Sequence, residues 1–206
     1  ELVINIGPLL AGAGVVGLAI GFGSQKLVQD VITGAFILFE DSMAVGDVVR
    51  IAGATGTVEA LSIRSIRMRD ASGNVHTVPF SSVAEVTNLT KEYSYYLFEI
   101  GIAYRESVDN VMAVLRDLGT EYEADPVFGP LIMAPLDIQG VDSLGDSAVV
   151  IRARYKTHPV QQWRVGREFN RRIKNRFDEL GIEIPFPHTT IYFGEDKNGD
   201  APPLRH

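Results

Sequence analysis

Leu2 through Gln25 is a run without a single charged side chain, LVINIGPLLAGAGVVGLAIGFGSQ. As a helix it spans about 36 Å at about 1.5 Å per residue, enough to cross a bilayer. Glycine stands at positions 7, 12, 14, 17, 21 and 23 of this run. In a water-soluble helix each interior glycine costs about 1 kcal/mol relative to alanine. In a membrane, small residues let helices approach closely. At about 100° per residue, Gly14, Gly17 and Gly21 fall within about 60° of one another. Gly12, Ala19 and Gly23 fall within about 40° of each other on nearly the opposite side. Ala11, Val15, Leu18, Phe22 and Gln25 occupy one flank between these two smooth faces, and Val16 and Ile20 the other. One small face suits a pair of helices; two opposed faces suit a head-to-tail ring. If the ring turns Val15, Leu18 and Phe22 to its axis, it carries stacked apolar constrictions that close by dewetting. The plainer alternative is a membrane helix that is glycine-rich by composition.

Gly12-Ala13-Gly14-Val15-Val16-Gly17 is also a formal GxGxxG. A dinucleotide site would take Leu2–Ile6 as the first strand and Glu40 as the ribose-binding acid. Pro8 and further residues separate that strand from the first glycine, where the motif needs a tight turn. The helix after it has no polar face before Gln25, and no series of parallel βαβ units follows.

Composition narrows the functional classes. A net charge of −7 argues against a general nucleic-acid surface. There is no cysteine, so disulfides and thiolate metal sites are impossible. His76, His158, His188 and His206 lack ligand spacing, so neither a metal nor a cofactor is expected. No nucleophile elbow, phosphate loop or paired acids stand out, and the chain does not read as an enzyme. The apolar run has no basic segment before it, which makes a secretory signal a poor reading. The chain reads as part of a longer protein with earlier segments missing.

After Gln25 the character changes. Lys26, Gln29, Asp30 and Thr33 form a polar stripe at helical spacing within an otherwise apolar segment reaching Phe39. This predicts an amphipathic helix over 26–40, lying at the membrane boundary or buried in a domain. Gly23, Ser24, Gln25 and Lys26 mark a bend between the two helices. From Val45 the period becomes two. Val45–Ile51 reads as a strand, Gly53 and Gly56 bound a turn, and Thr57–Arg69 reads as a long strand with a bulge or sharp bend at Arg64–Ser65. Asp70–Asn74 is a hairpin turn, and Val75–Val78 ends at Pro79. Short bent strands predict a small β-barrel-like domain over 41–90. Arg64, Arg67 and Arg69 form either a solvated strand face or a basic stripe toward lipid headgroups.

Residues 91–187 read as a βαββαβ series, the ferredoxin-like split pattern. Tyr95–Tyr104 alternates, and Ser107 is the N-cap of a helix carrying Val108, Val111, Met112, Leu115 and Leu118. Leu136–Val141 and Ala148–Tyr155 are strands. Pro159–Leu180 is a helix ended by Gly181, and Ile182–Ile184 is a last short strand. The arginines of the second helix are interleaved with Glu168, Asp178 and Glu179, a solvated face rather than an RNA site. Trp163 reads as core or interface.

The run Gly17-Leu18-Ala19-Ile20-Gly21-Phe22-Gly23-Ser24-Gln25 resembles the pore helix of the bacterial small-conductance mechanosensitive channel (MscS-like) family. Val45-Gly46-Asp47-Val48-Val49, Gly56-Thr57-Val58-Glu59, Arg67-Met68-Arg69-Asp70 with Gly73, Val78-Pro79 and Ile184-Pro185-Phe186-Pro187 also resemble that family. The resemblance implies a membrane α-helix plus α+β architecture. Its parts are a pore-lining transmembrane helix over 1–25 with the amphipathic extension, and a small Sm/SH3-like β domain. A ferredoxin-like αβ domain, a C-terminal barrel strand over 188–194 that includes Thr189–Phe193, and a flexible tail over 195–206 complete it. It implies a homoheptamer in the bacterial plasma (inner) membrane with its αβ cage on the cytoplasmic side. Membrane tension opens the pore, which releases ions and small osmolytes on hypo-osmotic shock. Partners are identical subunits, membrane lipids and the permeating solutes, with no nucleic acid. Leu18 and Phe22 fall on the family's closed constriction, and Gly14, Gly17, Ala19 and Gly21 on its interlocking helix faces. The chain departs from the best-known members in having Lys26, not glycine, directly after Gln25. The alternative function is a single-helix membrane-anchored interaction module without pore activity.

Overall fold

The computed structural model describes residues 7–187, and the predicted barrel strand and tail lie outside them. The chain divides into two compact units, Glu1–Ser94 and Tyr95–His206.

The first unit opens with one helix, α1 (Gly7–Phe39). Helix is continuous through Gly23, Ser24, Gln25 and Lys26, so the two expected helices are one element. A five-stranded antiparallel sheet follows, built from β1 (Val48–Ile51), β2 (Ala54–Leu61), β3 (Ser65–Arg69), β4 (Val75–Pro79) and β5 (Val86–Asn88). Its order is β4-β3-β2-β1-β5, and no closed barrel forms among the described residues. Its core is Met43, Val49, Ile51, Val58, Ile66, Met68 and Phe80, joined by Ile37 from α1.

Three details of this sheet depart from the sequence reading. The β1–β2 turn is made by Ala52 and Gly53, both at positive φ (49° and 80°), the pattern of a tight hairpin turn. Gly56 is not in that turn. It sits inside β2, where a Cβ would stand 2.6 Å from the carbonyl oxygen of Arg69. The strand read over Thr57–Arg69 is a hairpin: the sharp bend expected near Arg64–Ser65 is its turn, and a bulge lies at Val58–Ala60. Its turn is closed by the Ser62 hydroxyl, which accepts from the backbone N–H of Ser65 at 3.0 Å and lies 2.9 Å from the Ser65 carbonyl oxygen. The Ser62 backbone N–H donates to the same carbonyl at 2.9 Å, so side chain and backbone close the turn together.

The predicted Asp70–Asn74 turn is present. Asp70 accepts from the backbone N–H groups of Ser72 and Asn74, both at 2.9 Å. His76 lies 3.0 Å from its other oxygen. Hydrogen bonding, first from His76 and then from Asn74, holds the Asp70 carboxyl well below the usual range.

The second unit contains β6 (Ser94–Ile102), α2 (Val108–Glu123), β7 (Asp137–Leu144), β8 (Val149–Thr157) and α3 (Gln162–Leu180). Its sheet order is β6-β8-β7, the order a split βαβ pattern gives its first three strands. Ser107 caps α2 as expected, its side chain accepting from the N–H of Asn110 at 3.4 Å. Gly181 ends α3 at φ 69°. The helix starts at Gln162, three residues later than expected. Ile182–Ile184 is not a strand; it is tied to the end of β6 by one bond, Ala103 N–H to the Glu183 carbonyl at 3.1 Å. Phe98, Tyr122, Tyr155 and Phe169 meet ring to ring between sheet and helices, with Phe98–Phe169 centroids 5.2 Å apart.

The basic face of α3 is ion-paired throughout much of its length. Arg171 and Arg172 both donate to Glu168, Arg172 also reaches Asp125, Lys174 pairs with Asp178, and Arg176 with Glu121. A helix whose cations are spent in this way is a solvated surface. Trp163 is half-buried.

Candidate pore helix and its junction with the sheet

The two ends of α1 live in different surroundings. Beyond Gln29, one face packs on the sheet of its own unit. Asp30 is only 5% exposed, and its Oδ1 accepts from the backbone N–H of Ser81 at 2.6 Å. One turn on, Gly34 lets the helix backbone approach Phe80 and the carbonyl of Ile63. A Cβ there would lie 2.6 Å from both. Ile37 completes the stripe in the apolar core. Asp30, one member of the polar stripe, thus belongs to a face docked on the unit's own sheet, in line with the buried alternative for this segment. Its partner lies fifty-one residues away in sequence.

Before Asp30 the helix has almost no contact within the chain. Leu18 is 62% exposed and Phe22 75%. Val15, Val16 and Ile20 are exposed, as are Ala11, Gln25 and Lys26. Gly17, Leu18, Gly21, Phe22 and Gln25 line one shallow groove along it. The glycines separate into two kinds. A Cβ at Gly12, Gly14, Gly17, Gly21 or Gly23 would meet nothing within 4 Å, whereas one at Gly34, Gly56 or Gly166 would clash with the fold. Only the second kind is explained by packing inside one chain. Ala19 shares the exposed surface with the first kind. Leu10–Phe39 is long and apolar enough to cross a membrane.

At the expected bend, Ser24 Oγ donates to the carbonyl of Gly21 at 3.3 Å. Such back-bonding loosens a helix turn without breaking it.

The basic strand face of the sheet is neutralised in part by Glu59, which accepts from Arg69 Nε at 2.5 Å and lies 3.5 Å from Arg67 Nε. The Arg69 hydrogen bond, with the charges of both arginines behind it, holds the Glu59 carboxyl below its ordinary value. Lys91 pairs with Asp41 at 2.5 Å, and the Asp41 carboxylate raises its ammonium pKa. Among the described residues no cluster of His, Asp and Glu could hold a metal ion.

Comparison with known proteins agrees with this architecture. A family profile described as "Mechanosensitive ion channel, beta-domain" matches residues 26–91, and one described as "Mechanosensitive ion channel MscS, C-terminal" matches 97–184. The chain is 39% identical to the small-conductance mechanosensitive channel of Caldanaerobacter subterraneus subsp. tengcongensis, over 94% of this chain and 68% of that one. It is 38% identical to the moderate conductance mechanosensitive channel YbiO of Escherichia coli, over 90% of this chain but 25% of the relative's length. The closed-state crystal structure of Helicobacter pylori MscS shares the fold, with a TM-score of 0.78 at 23% identity over 95% of this chain and 76% of that one. From its apolar helix through its β domain to its αβ domain, the chain belongs to the MscS family of mechanosensitive ion channels.

Proposed function

We propose that identical copies of this chain form a tension-gated pore in which α1 is the lining helix. The observation that carries the reading is the set of open glycines. A Cβ added at Gly12, Gly14, Gly17, Gly21 or Gly23 would meet nothing of its own chain within 4 Å. Each of these glycines costs about 1 kcal/mol of helix stability, so a contact outside the chain must offset it. With Ala19 they supply the two smooth faces on which neighbouring helices pack. Leu18 and Phe22 then form the closed constriction, with Ala11, Val15 and Gln25 lining the same path. Narrow apolar rings exclude water, and widening them under tension restores conduction. The names of the relatives, small- and moderate-conductance mechanosensitive channels, support this reading.

The finer assignment is a homoheptamer in a bacterial inner membrane. Its β and αβ units stand on the cytoplasmic side, and it passes ions and small osmolytes when the cell swells. The junction through Asp30, Gly34 and Ile37 ties the lining helix to the β domain, so movement of one is felt by the other.

Recording from the full-length protein in liposome patches under suction tests the proposal. Graded pressure produces stepwise currents. Silence at every pressure short of rupture would leave a membrane-anchored module instead. Mass measurement in detergent tests the ring, since a monomer or dimer contradicts packing through two opposed faces.

A further inference from the structure

Lys26 is the one charged side chain between Gly7 and Gln29 of α1. It is exposed. Asp30, one turn on, is buried, and its carboxylate accepts from the Ser81 N–H at 2.6 Å while standing within electrostatic reach of Lys26, with which it forms no ion pair. On the wheel that brings Leu18 and Phe22 together, Gln25 and Gln29 continue the same flank, and Lys26 stands about 60° from its middle. A four-carbon stem lets an ammonium group swing that far into water while its methylenes stay on the helix.

We propose that Lys26 and its copies form a ring of ammonium groups just past the apolar constriction, and that this ring biases the open pore toward small anions. The inference rests on the pore reading above. Rings of lysine or arginine favour anions by direct attraction. The attraction fades over a Debye length of about 8 Å at physiological ionic strength, so the bias in a wide pore is modest and falls with salt. The same ammonium could instead meet anionic lipid headgroups. Its place beside Gln25 and Gln29 favours the water path, and the experiment separates the two.

The test is the reversal potential of suction-activated current from the full-length channel in a potassium chloride gradient. Wild type has a chloride-to-potassium permeability ratio above one. Lys26→Gln lowers it by about two- to threefold, Lys26→Glu inverts it, and Lys26→Arg keeps it. Raising both solutions to molar salt shrinks the difference between variants. If Lys26→Glu does not reach the membrane, the Gln and Arg variants decide. Equal ratios in wild type, Lys26→Gln and Lys26→Arg overturn the inference while leaving a working pore. An effect seen only as a change of opening pressure with anionic lipid content also overturns it. Absence of suction-activated current in wild type is a different failure: it contradicts the pore itself.

Discussion

The backbone N–H of Ser81 sits 2.6 Å from Oδ1 of Asp30, so a carboxylate on the long apolar helix closes a turn of the sheet domain. Among the described residues of the helix, none N-terminal to Asp30 is buried. Asp30 therefore marks where packing within the chain stops and packing outside it must begin.

Asp30→Ala removes the acceptor and leaves the Ser81 N–H unpaired. The expected outcome is faster amide hydrogen exchange confined to Phe80–Ser82 in the intact channel. Asp30→Asn, whose amide oxygen still accepts, keeps the protection close to wild type. Equal exchange in all three proteins would show that the bond does not hold the junction.

Gly34 and Gly17 should respond in opposite ways to the same substitution. Gly34→Ala drives a methyl group into Phe80 and the Ile63 carbonyl and costs about 1–3 kcal/mol of stability in the first unit. Gly17→Ala leaves the fold of the single chain intact, because nothing lies within 4 Å of the added carbon. Its effect is on assembly or opening pressure. Thermal unfolding and native mass measurement, run on both variants, separate the two.

Arg171, then Arg172, donates to Glu168, and although burial works against them they hold its carboxyl at about 2 against an ordinary 4.5. A folded-state pKa below the unfolded one contributes stability above the unfolded value and loses it as pH falls through the folded value. Glu168→Gln therefore costs about 1–2 kcal/mol at neutral pH, and the difference from wild type shrinks between about pH 4.5 and about pH 2. Trp163, the single tryptophan, lies on the same helix and reports unfolding of that unit by fluorescence.

Much of this architecture is legible in the residues, and the departures have physical causes. The apolar helix, the Asp70–Asn74 turn, the Ser107 cap and the Gly181 stop are local signals, each satisfied by neighbours in sequence. The rest depends on distant partners. Asp30 at helical spacing with Lys26 and Gln29 makes a polar stripe whose surroundings stay open until Ser81 is folded against it. Gly56 looks like a turn residue, but it is small because the Arg69 carbonyl passes over it. Ser62 hides a hairpin turn inside an alternating run because its hydroxyl and its backbone N–H together close the turn on Ser65. Ile182–Ile184 has strand composition but secures one backbone bond to β6 in place of a ladder. The small residues at Gly23–Lys26 divide the run into two helices on paper, and one helix continues through them. Leu18 and Phe22 are legible as one flank of the wheel, and in the single chain they are exposed along with Val15, Val16 and Ile20.

The most direct measurement uses the absence of cysteine from these 206 residues. In a full-length channel whose sole cysteine is the introduced one, Phe22→Cys should react with a charged, water-soluble thiol reagent while suction holds the pore open. Conduction then drops, and reaction without suction is slow. Ile20→Cys, on the opposite flank, should pass current unchanged under the same reagent. Rapid block at Ile20 with none at Phe22, or no block at either, would contradict a pore lined by Leu18 and Phe22.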